Sequence, residues 1–147
     1  MQIIGNWQVR DDGVARPVIR VEVARVGETL VSEDFLIDSG ADVTVFSAAL
    51  LGRLDLPVRQ MPSGSALSGV GGVASGGVLS AAIELTSDDG RRFRVRGDFA
   101  AFTDPAASDL SILGRDVTDH FDLILSRRRE QVLLLGAKHA YRIEEIP

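Results

Sequence analysis

The chain has 147 residues, no cysteine and a formal net charge of −5. This length suits one domain with a core of ordinary size, so we expect residues 1–147 to form a single domain. The lack of cysteine excludes disulfides, thiolate zinc sites and cysteine nucleophiles. The acidic balance and an aromatic content of 5% predict no nucleic-acid partner, because phosphate binding needs a basic surface and base stacking needs aromatic rings.

The N-terminal segment has neither feature of a secretory signal. Residues 1–7 contain no basic run and no apolar core of the kind that signal peptides have. The apolar runs elsewhere are much shorter than the roughly 20 residues that a membrane-spanning helix needs. The sequence therefore predicts a cytoplasmic protein with no membrane partner.

The first third of the chain shows the alternation of apolar and polar residues that is typical of half-buried strands. We predict strands, separated by turns at 11–13 and 26–28, over residues 6–10, 16–26 and 29–37. A helix is predicted over residues 47–54, because Ser47 can cap its first turn and three leucines then fall on one face. Pro57 is expected to end it.

The rest of the chain also favours short strands. Residues 62–77 are rich in glycine and serine and predict a mobile loop or a hairpin. Further elements are predicted as strands over 78–85 and 91–99 around a turn at 87–90 and as a short buried run at 110–113. A short helix over 115–121 and a hairpin of 121–125 with 131–135 follow. Many short strands with regularly spaced turns indicate an all-β, barrel-like domain with one or two short helices.

One acidic residue stands where chemistry is plausible. Asp38 follows the apolar triplet 35–37 and precedes Ser39 and Gly40. Burial at a strand end favours the neutral carboxyl unless nearby hydroxyl and N–H groups compensate, and glycine allows a close backbone approach. Asp-Ser-Gly is also a common turn tripeptide, so by itself it fits either a catalytic loop or a plain turn.

Two later segments add to this motif. Residues 67–72 (LSGVGG) form a glycine-rich stretch between strand-like residues, which is typical of a hairpin that folds over a ligand. Residues 112–116 (ILGRD) place two large apolar residues before a glycine and an arginine.

Taken in this order, DSGAD at 38–42, the glycine-rich stretch and ILGRD resemble the retropepsins, the single-domain aspartic proteases of retroviral type. The helix over 47–54 and the segment 120–125 make the chain more similar to cellular and bacterial retropepsin-like domains than to the compact viral enzymes. The resemblance implies an all-β fold, a closed barrel-like acid-protease domain with one or two short helices and a glycine-rich flap hairpin.

The resemblance also implies roles for individual residues. Asp38 matches the catalytic aspartate, Ser39 matches a hydroxyl that bonds across the dimer axis, and Gly40 matches a backbone carbonyl that faces substrate. Asp42 and Arg115 match a structural ion pair beside the substrate cleft. The positions that the resemblance places around the substrate are Gly40, Ala41, Asp42, Gly69, Val70, Gly71 and Gly72. The residues matching an apolar element packed under the catalytic loop are Ile112, Leu113 and Gly114.

The number of candidate aspartates bears on the oligomeric state. Aspartic proteolysis needs two carboxylates at one site, which share a proton because two such close charges cannot both ionise; the aspartic proteases are the standard example. This chain has one Asp-Ser-Gly, and the acidic turns at 11–13 and 88–90 lack a buried strand before them. We therefore expect a homodimer in which a second copy supplies the other Asp38.

The sequence thus predicts an aspartic endopeptidase that hydrolyses peptide bonds with a water activated by two Asp38 carboxylates. It needs no cofactor and no metal, and its partners are a second copy of the chain and a peptide or protein substrate. The alternative is a catalytically inactive retropepsin-like module that dimerises or binds peptides, because a fold does not fix a function.

Other motifs are given structural interpretations. Residues 69–74 match a dinucleotide-binding pattern, but no helix start follows them. His120 and His139 are not in metal-ligand spacing. The basic alternation over 91–96 predicts a solvated strand face balanced by acidic neighbours.

Overall fold

The structure is a computed structural model that describes residues 1–25, 29–62, 66–69, 72–107 and 110–136. The predicted turn at 26–28 lies outside these ranges. The strands of the described residues are β1 (Gln2–Val9), β2 (Ala15–Ala24), β3 (Leu30–Ile37), β4 (Val45–Phe46), β5 (Arg59–Gln60), β6 (Leu67–Gly69), β7 (Gly72–Ala74), β8 (Gly76–Thr86), β9 (Arg92–Phe102), β10 (Ser111–Leu113), β11 (Asp122–Ser126) and β12 (Gln131–Leu135). The helices of the same residues are α1 (Ala48–Leu54) and α2 (Arg115–Thr118).

Most of these strands belong to one sheet that closes on itself. Its strand order is β11-β12-β1-β2-β3-β10-β4-β9-β8-β5. A further antiparallel pairing of β2 with β8 joins the two sides, so that β2, β3, β10, β4, β9 and β8 form a ring. Strands β6 and β7 pair only with each other among the described residues. The predicted all-β class is confirmed, and the described residues contain two short helices.

The core lies inside this ring and follows from strand periodicity. In β2, Ile19, Val21 and Val23 are fully buried, because alternate side chains of a strand point to the same face. Burial of each such side chain is worth about 1.5–3 kcal/mol. The ring of Phe46 packs edge-on against Phe35 at 5.6 Å and stacks on Phe99 at 5.3 Å. These aromatic contacts fix β3, β4 and β9 relative to one another.

Helix α1 is capped as predicted. The Ser47 side chain accepts a hydrogen bond from the backbone N–H of Leu50 at 3.1 Å. Leu50 and Leu54 are fully buried against the core. The helix ends at Asp55, whose φ of 54° is left-handed, so the chain leaves the helix before Pro57.

Some element boundaries differ from the predicted ones. Strand β1 begins at Gln2 rather than at residue 6, because its first half pairs with β12, near the far end of the described chain. Strand β9 continues to Phe102, where its last residues pair with β8, and α2 ends at Thr118 instead of residue 121. The two-residue strands β4 and β5 show no periodicity and were not predicted.

The basic face of β9 is balanced by one buried acid. Glu84, only 2% exposed, accepts hydrogen bonds from Arg92 and Arg94. Burial alone would raise the pKa of Glu84, but the hydrogen bond from Arg94 and the charge of Arg92 outweigh it, so this pKa lies below its ordinary value. Arg92 and Arg94 themselves remain about half exposed, so the predicted solvated strand face with acidic neighbours is found. Among the described residues, no helix is both long and apolar enough to cross a bilayer.

Candidate active site

Asp38 lies where two parallel strands end side by side. Strands β3 and β10 run parallel, with Leu113 opposite Ile37. The Asp38 backbone N–H continues this ladder by donating to the Leu113 carbonyl at 3.2 Å. The chain then turns sharply, since the Ala41 N–H donates to the Asp38 carbonyl at 3.1 Å. The turn leaves the Asp38 side chain half-buried at the rim of the ring.

The Asp38 carboxylate is fixed by its own turn. Its Oδ1 accepts a hydrogen bond from the Gly40 backbone N–H at 2.9 Å. Within the described chain, Oδ2 accepts no hydrogen bond, and no other carboxylate is hydrogen bonded to Asp38. Ser39 is exposed, and its hydroxyl has no partner among the described residues. One oxygen is thus held in place and the other is available for chemistry.

The segment after β10 supports this turn from the other side. The Arg115 N–H donates to the Ala41 carbonyl at 2.9 Å, and the Asp116 N–H donates to the Asp42 carbonyl at 3.2 Å. Gly114 permits this approach, because a Cβ there would lie 2.4 Å from the carbonyl carbon of Val43. The loop of residues 38–42 is therefore tied to the start of α2 through the backbone.

The structure brings Asp42 and Arg115 together as an ion pair. The hydrogen bond and the charge of Asp42 raise the pKa of Arg115 above its ordinary value. Both side chains are largely exposed, so solvent screens the attraction. We attribute to this pair an orienting effect on the loop rather than a large stabilisation.

Thr44 and Asp116 form a second link that sequence reasoning missed. The buried Thr44 hydroxyl donates to Asp116 Oδ1 at 2.7 Å and accepts from the Gly114 N–H at 3.0 Å. The Thr44 N–H donates to Asp116 Oδ2 at 2.9 Å, so both carboxylate oxygens are used. The two residues are 72 positions apart, and no local pattern indicates their contact.

Glu33 is a further supporting residue that sequence reasoning missed. Its Oε1 accepts hydrogen bonds from the hydroxyls of Ser47 at 3.0 Å and Ser111 at 2.7 Å. Arg53 of α1 forms an ion pair with the same carboxylate. Glu33 thereby joins β3, α1 and β10, which are the elements around the Asp38 turn.

The glycine-rich stretch forms the predicted hairpin. Strands β6 and β7 pair antiparallel, with Gly69 opposite Gly72, and Gly72 has a φ of 113° that favours glycine. At the base of the hairpin, Leu67 packs over Gly76, where an added Cβ would lie 2.7 Å from the leucine side chain. Val70 and Gly71, which the resemblance also places around the substrate, lie outside the described residues.

A cleft of about 920 Å³ separates the Asp38 turn from this hairpin. Its described lining contains the sequence-predicted residues Asp38, Gly40, Ala41, Asp42, Gly69 and Gly72. Ser39 and Arg115 do not line it, although both belong to the elements beside it. The lining residues that sequence reasoning missed include Val43, Val45, Val73, Phe102 and Asp104. A shallower cavity of about 740 Å³ beside Arg94 and Arg96 contains none of the motif residues.

The charged groups of the cleft are all acidic within the described chain. They are Asp38, Asp42 and Asp104, and no described lysine, arginine or histidine lines the cleft. The described residues contain no group of three or more potential metal ligands. The arrangement offers a positioned carboxylate, an open cleft and a hairpin above it.

Comparison with solved structures finds retropepsins. EIAV protease in complex with the inhibitor HBY-793 is 24% identical, with a TM-score of 0.50 over 71% of this chain and 86% of that protein. A retropepsin-like aspartic protease from Rickettsia conorii is 14% identical, with a TM-score of 0.57 over 91% of this chain and 98% of that protein. No protein-family model and no curated protein sequence matches the chain. The chain has a retropepsin-like fold.

Proposed function

From a retropepsin-like fold with one Asp-Ser-Gly turn in each chain, we propose that this protein is an aspartic endopeptidase that acts as a homodimer. Its two Asp38 carboxylates activate a water that attacks the peptide carbonyl. The observation on which this rests is the Asp38 turn itself. One carboxylate oxygen is held by the Gly40 N–H, while the other has no hydrogen-bond partner in the described chain, and Asp38 lines the cleft.

The described part of one chain supplies one carboxylate, Asp38, of the pair that the reaction requires. Of the other two cleft carboxylates, Asp42 is engaged by Arg115, and Asp104 lies on the turn after β9. Neither is hydrogen bonded to Asp38. A second copy related by a two-fold axis supplies the missing aspartate, because such an interface brings the same residue of both chains together. The exposed Ser39 hydroxyl is free to bond across that axis.

In the reaction, one Asp38 is ionised and its counterpart is protonated. The ionised carboxylate removes a proton from water while the oxygen of that water bonds to the peptide carbon. The protonated carboxyl donates to the carbonyl oxygen, which gives a tetrahedral diol. The C–N bond then breaks as a proton moves to the leaving nitrogen, and no metal or covalent enzyme intermediate takes part.

In this proposal the hairpin of β6 and β7 holds the substrate. Both its strands line the cleft opposite the Asp38 turn. An extended peptide between them can form main-chain hydrogen bonds as an added strand. Such a peptide would pass beside Ala41, Asp42 and Val73, which line the cleft.

Digestion of a peptide library by the wild type and by Asp38→Asn tests the proposal. We expect the wild type to cleave at mildly acidic pH, and we expect the variant to remain folded and dimeric but to lose about 10²–10⁴-fold in rate. Asp11→Asn, which makes the same change on an exposed turn, serves as the control and should cleave normally. Full activity of Asp38→Asn would remove this residue from the mechanism.

Mixing the two chains tests the shared site directly. When the chains are fully dimeric and exchange freely, an equal amount of Asp38→Asn should lower the activity of a fixed amount of wild type to about one half, because mixed dimers have only one aspartate. Unchanged activity would show that each chain works alone. Tight binding of a pepstatin-type inhibitor without any peptide cleavage would instead support the peptide-binding module.

A further inference from the structure

The cleft is lined by both carboxylates and apolar side chains. Besides the Asp38 turn, its walls contain apolar side chains from the hairpin and from the end of β9, including Leu67, Val73 and Phe102. Val73 is 75% exposed, which makes it the most exposed large apolar side chain of the described residues. A bound ligand that covers these side chains gains apolar contact.

Among the described charged residues that line the cleft, Asp104 has not yet been given a role. It begins the turn after β9, and its Oδ1 accepts a hydrogen bond from the Ala106 N–H at 2.9 Å. The Ala107 N–H donates to the Asp104 carbonyl at 3.1 Å, so the turn holds this residue in one orientation. No described cation forms an ion pair with Asp104, whereas Asp42 is paired with Arg115.

We propose that Asp104 is a specificity-determining residue, which selects peptides with a lysine or arginine in the part of the substrate that passes beside residues 104–107. This inference rests on the proposed peptide-binding function. A long basic side chain suits this wall, because its methylene stem can lie along Leu67 and Phe102 while its charged head reaches a carboxylate. An acidic substrate residue is disfavoured, since no described cation lines the cleft.

The expected size of the preference follows from the exposure of Asp104. The residue is exposed in the free chain, and exposed ion pairs are weak and sensitive to salt. We therefore expect a preference of about threefold to fivefold in kcat/KM for lysine over an uncharged side chain of the same length. High salt should reduce it.

The test uses decapeptides that differ only in lysine or norleucine at one position, each position being examined in turn. The wild type should cleave the lysine peptide faster at one or more positions. Asp104→Asn should lose this preference, because asparagine keeps the acceptor for the Ala106 N–H but has no negative charge. Asp11→Asn should keep the preference.

A binding measurement separates this inference from the proposed function. Fluorescence anisotropy of the labelled peptides is measured with Asp38→Asn and with the double variant that also contains Asp104→Asn. A lysine preference that disappears only in the double variant supports the inference, even if the wild type cleaves nothing. The inference is overturned if the wild type does not distinguish the lysine peptide from the norleucine peptide. It is also overturned if the lysine preference remains after Asp104→Asn. Both outcomes count whether or not cleavage occurs.

Discussion

Replacement of Thr44 by valine tests whether the Asp38 turn depends on the link between Thr44 and Asp116. Valine keeps the shape of threonine but removes the hydroxyl, so no cavity forms. The change abolishes the hydrogen bond to Asp116 Oδ1 at 2.7 Å and leaves the Gly114 N–H without its acceptor at 3.0 Å. Both losses occur at a fully buried side chain.

The magnitude follows from these two bonds. A hydrogen bond to a charged group is worth about 1.5–3 kcal/mol, and a buried donor left unsatisfied costs about 1–3 kcal/mol. The bonds share one hydroxyl and do not add fully, so we expect Thr44→Val to lower the free energy of unfolding by about 2–4 kcal/mol. That is a large share of the 5–15 kcal/mol that is typical of a domain.

Urea denaturation followed by circular dichroism measures this change, at one protein concentration because a dimer's stability depends on concentration. Thr86→Val makes the same substitution at an exposed position of β8 and should change stability by less than about 0.5 kcal/mol. A loss for Thr44→Val as small as that of the control would refute the assigned role of the hydroxyl.

Two other substitutions test the framework around the site. Glu84→Gln should cost about 1–2 kcal/mol at pH 7, because Arg92 and Arg94 keep half-exposed charges without their partner. Since the pKa of Glu84 is lowered on folding, its ion pairs stabilise the protein fully above about pH 4.5 and are lost as the pH falls below that value. The free energy of unfolding should therefore change less between pH 7 and pH 3 for the variant than for the wild type. An equal change in both proteins would contradict this account. Gly114→Ala should lower the free energy of unfolding by about 1–3 kcal/mol, because the new Cβ meets the Val43 backbone. Gly97→Ala is the control, since a Cβ at Gly97 has open space around it. Thermal unfolding compares the two variants, and similar melting temperatures would show that Gly114 is not needed for close approach.

Local patterns predicted the elements that form through local contacts. The alternation in β2 and β3 and the cap at Ser47 depend on neighbouring residues, and each lies within a few positions of its prediction. The DSGAD and ILGRD motifs could be recognised because their residues are adjacent in sequence. The hairpin of β11 and β12 likewise follows from a turn between two apolar runs.

The remaining features depend on contacts that only the folded chain creates. The early start of β1 is caused by β12, and the short strands β4 and β5 exist only because longer strands lie beside them. Thr44 and Glu33 look like ordinary surface positions in the sequence, yet their side chains support the Asp38 turn through partners 72 and 78 residues away. Asp104 became a candidate only because the fold brings it into the lining of the cleft.

The parallel pairing of β3 with β10 has a consequence for how the protein is made. Asp38 emerges early in synthesis, but the groups that hold its turn, Leu113 and Arg115, belong to a segment made about 75 residues later. Closing so long a loop is entropically costly and slow compared with forming a hairpin. A nascent chain therefore has the Asp-Ser-Gly motif long before it has the support for it. The Asp38 turn reaches its folded geometry only after residues 113–115 have been made.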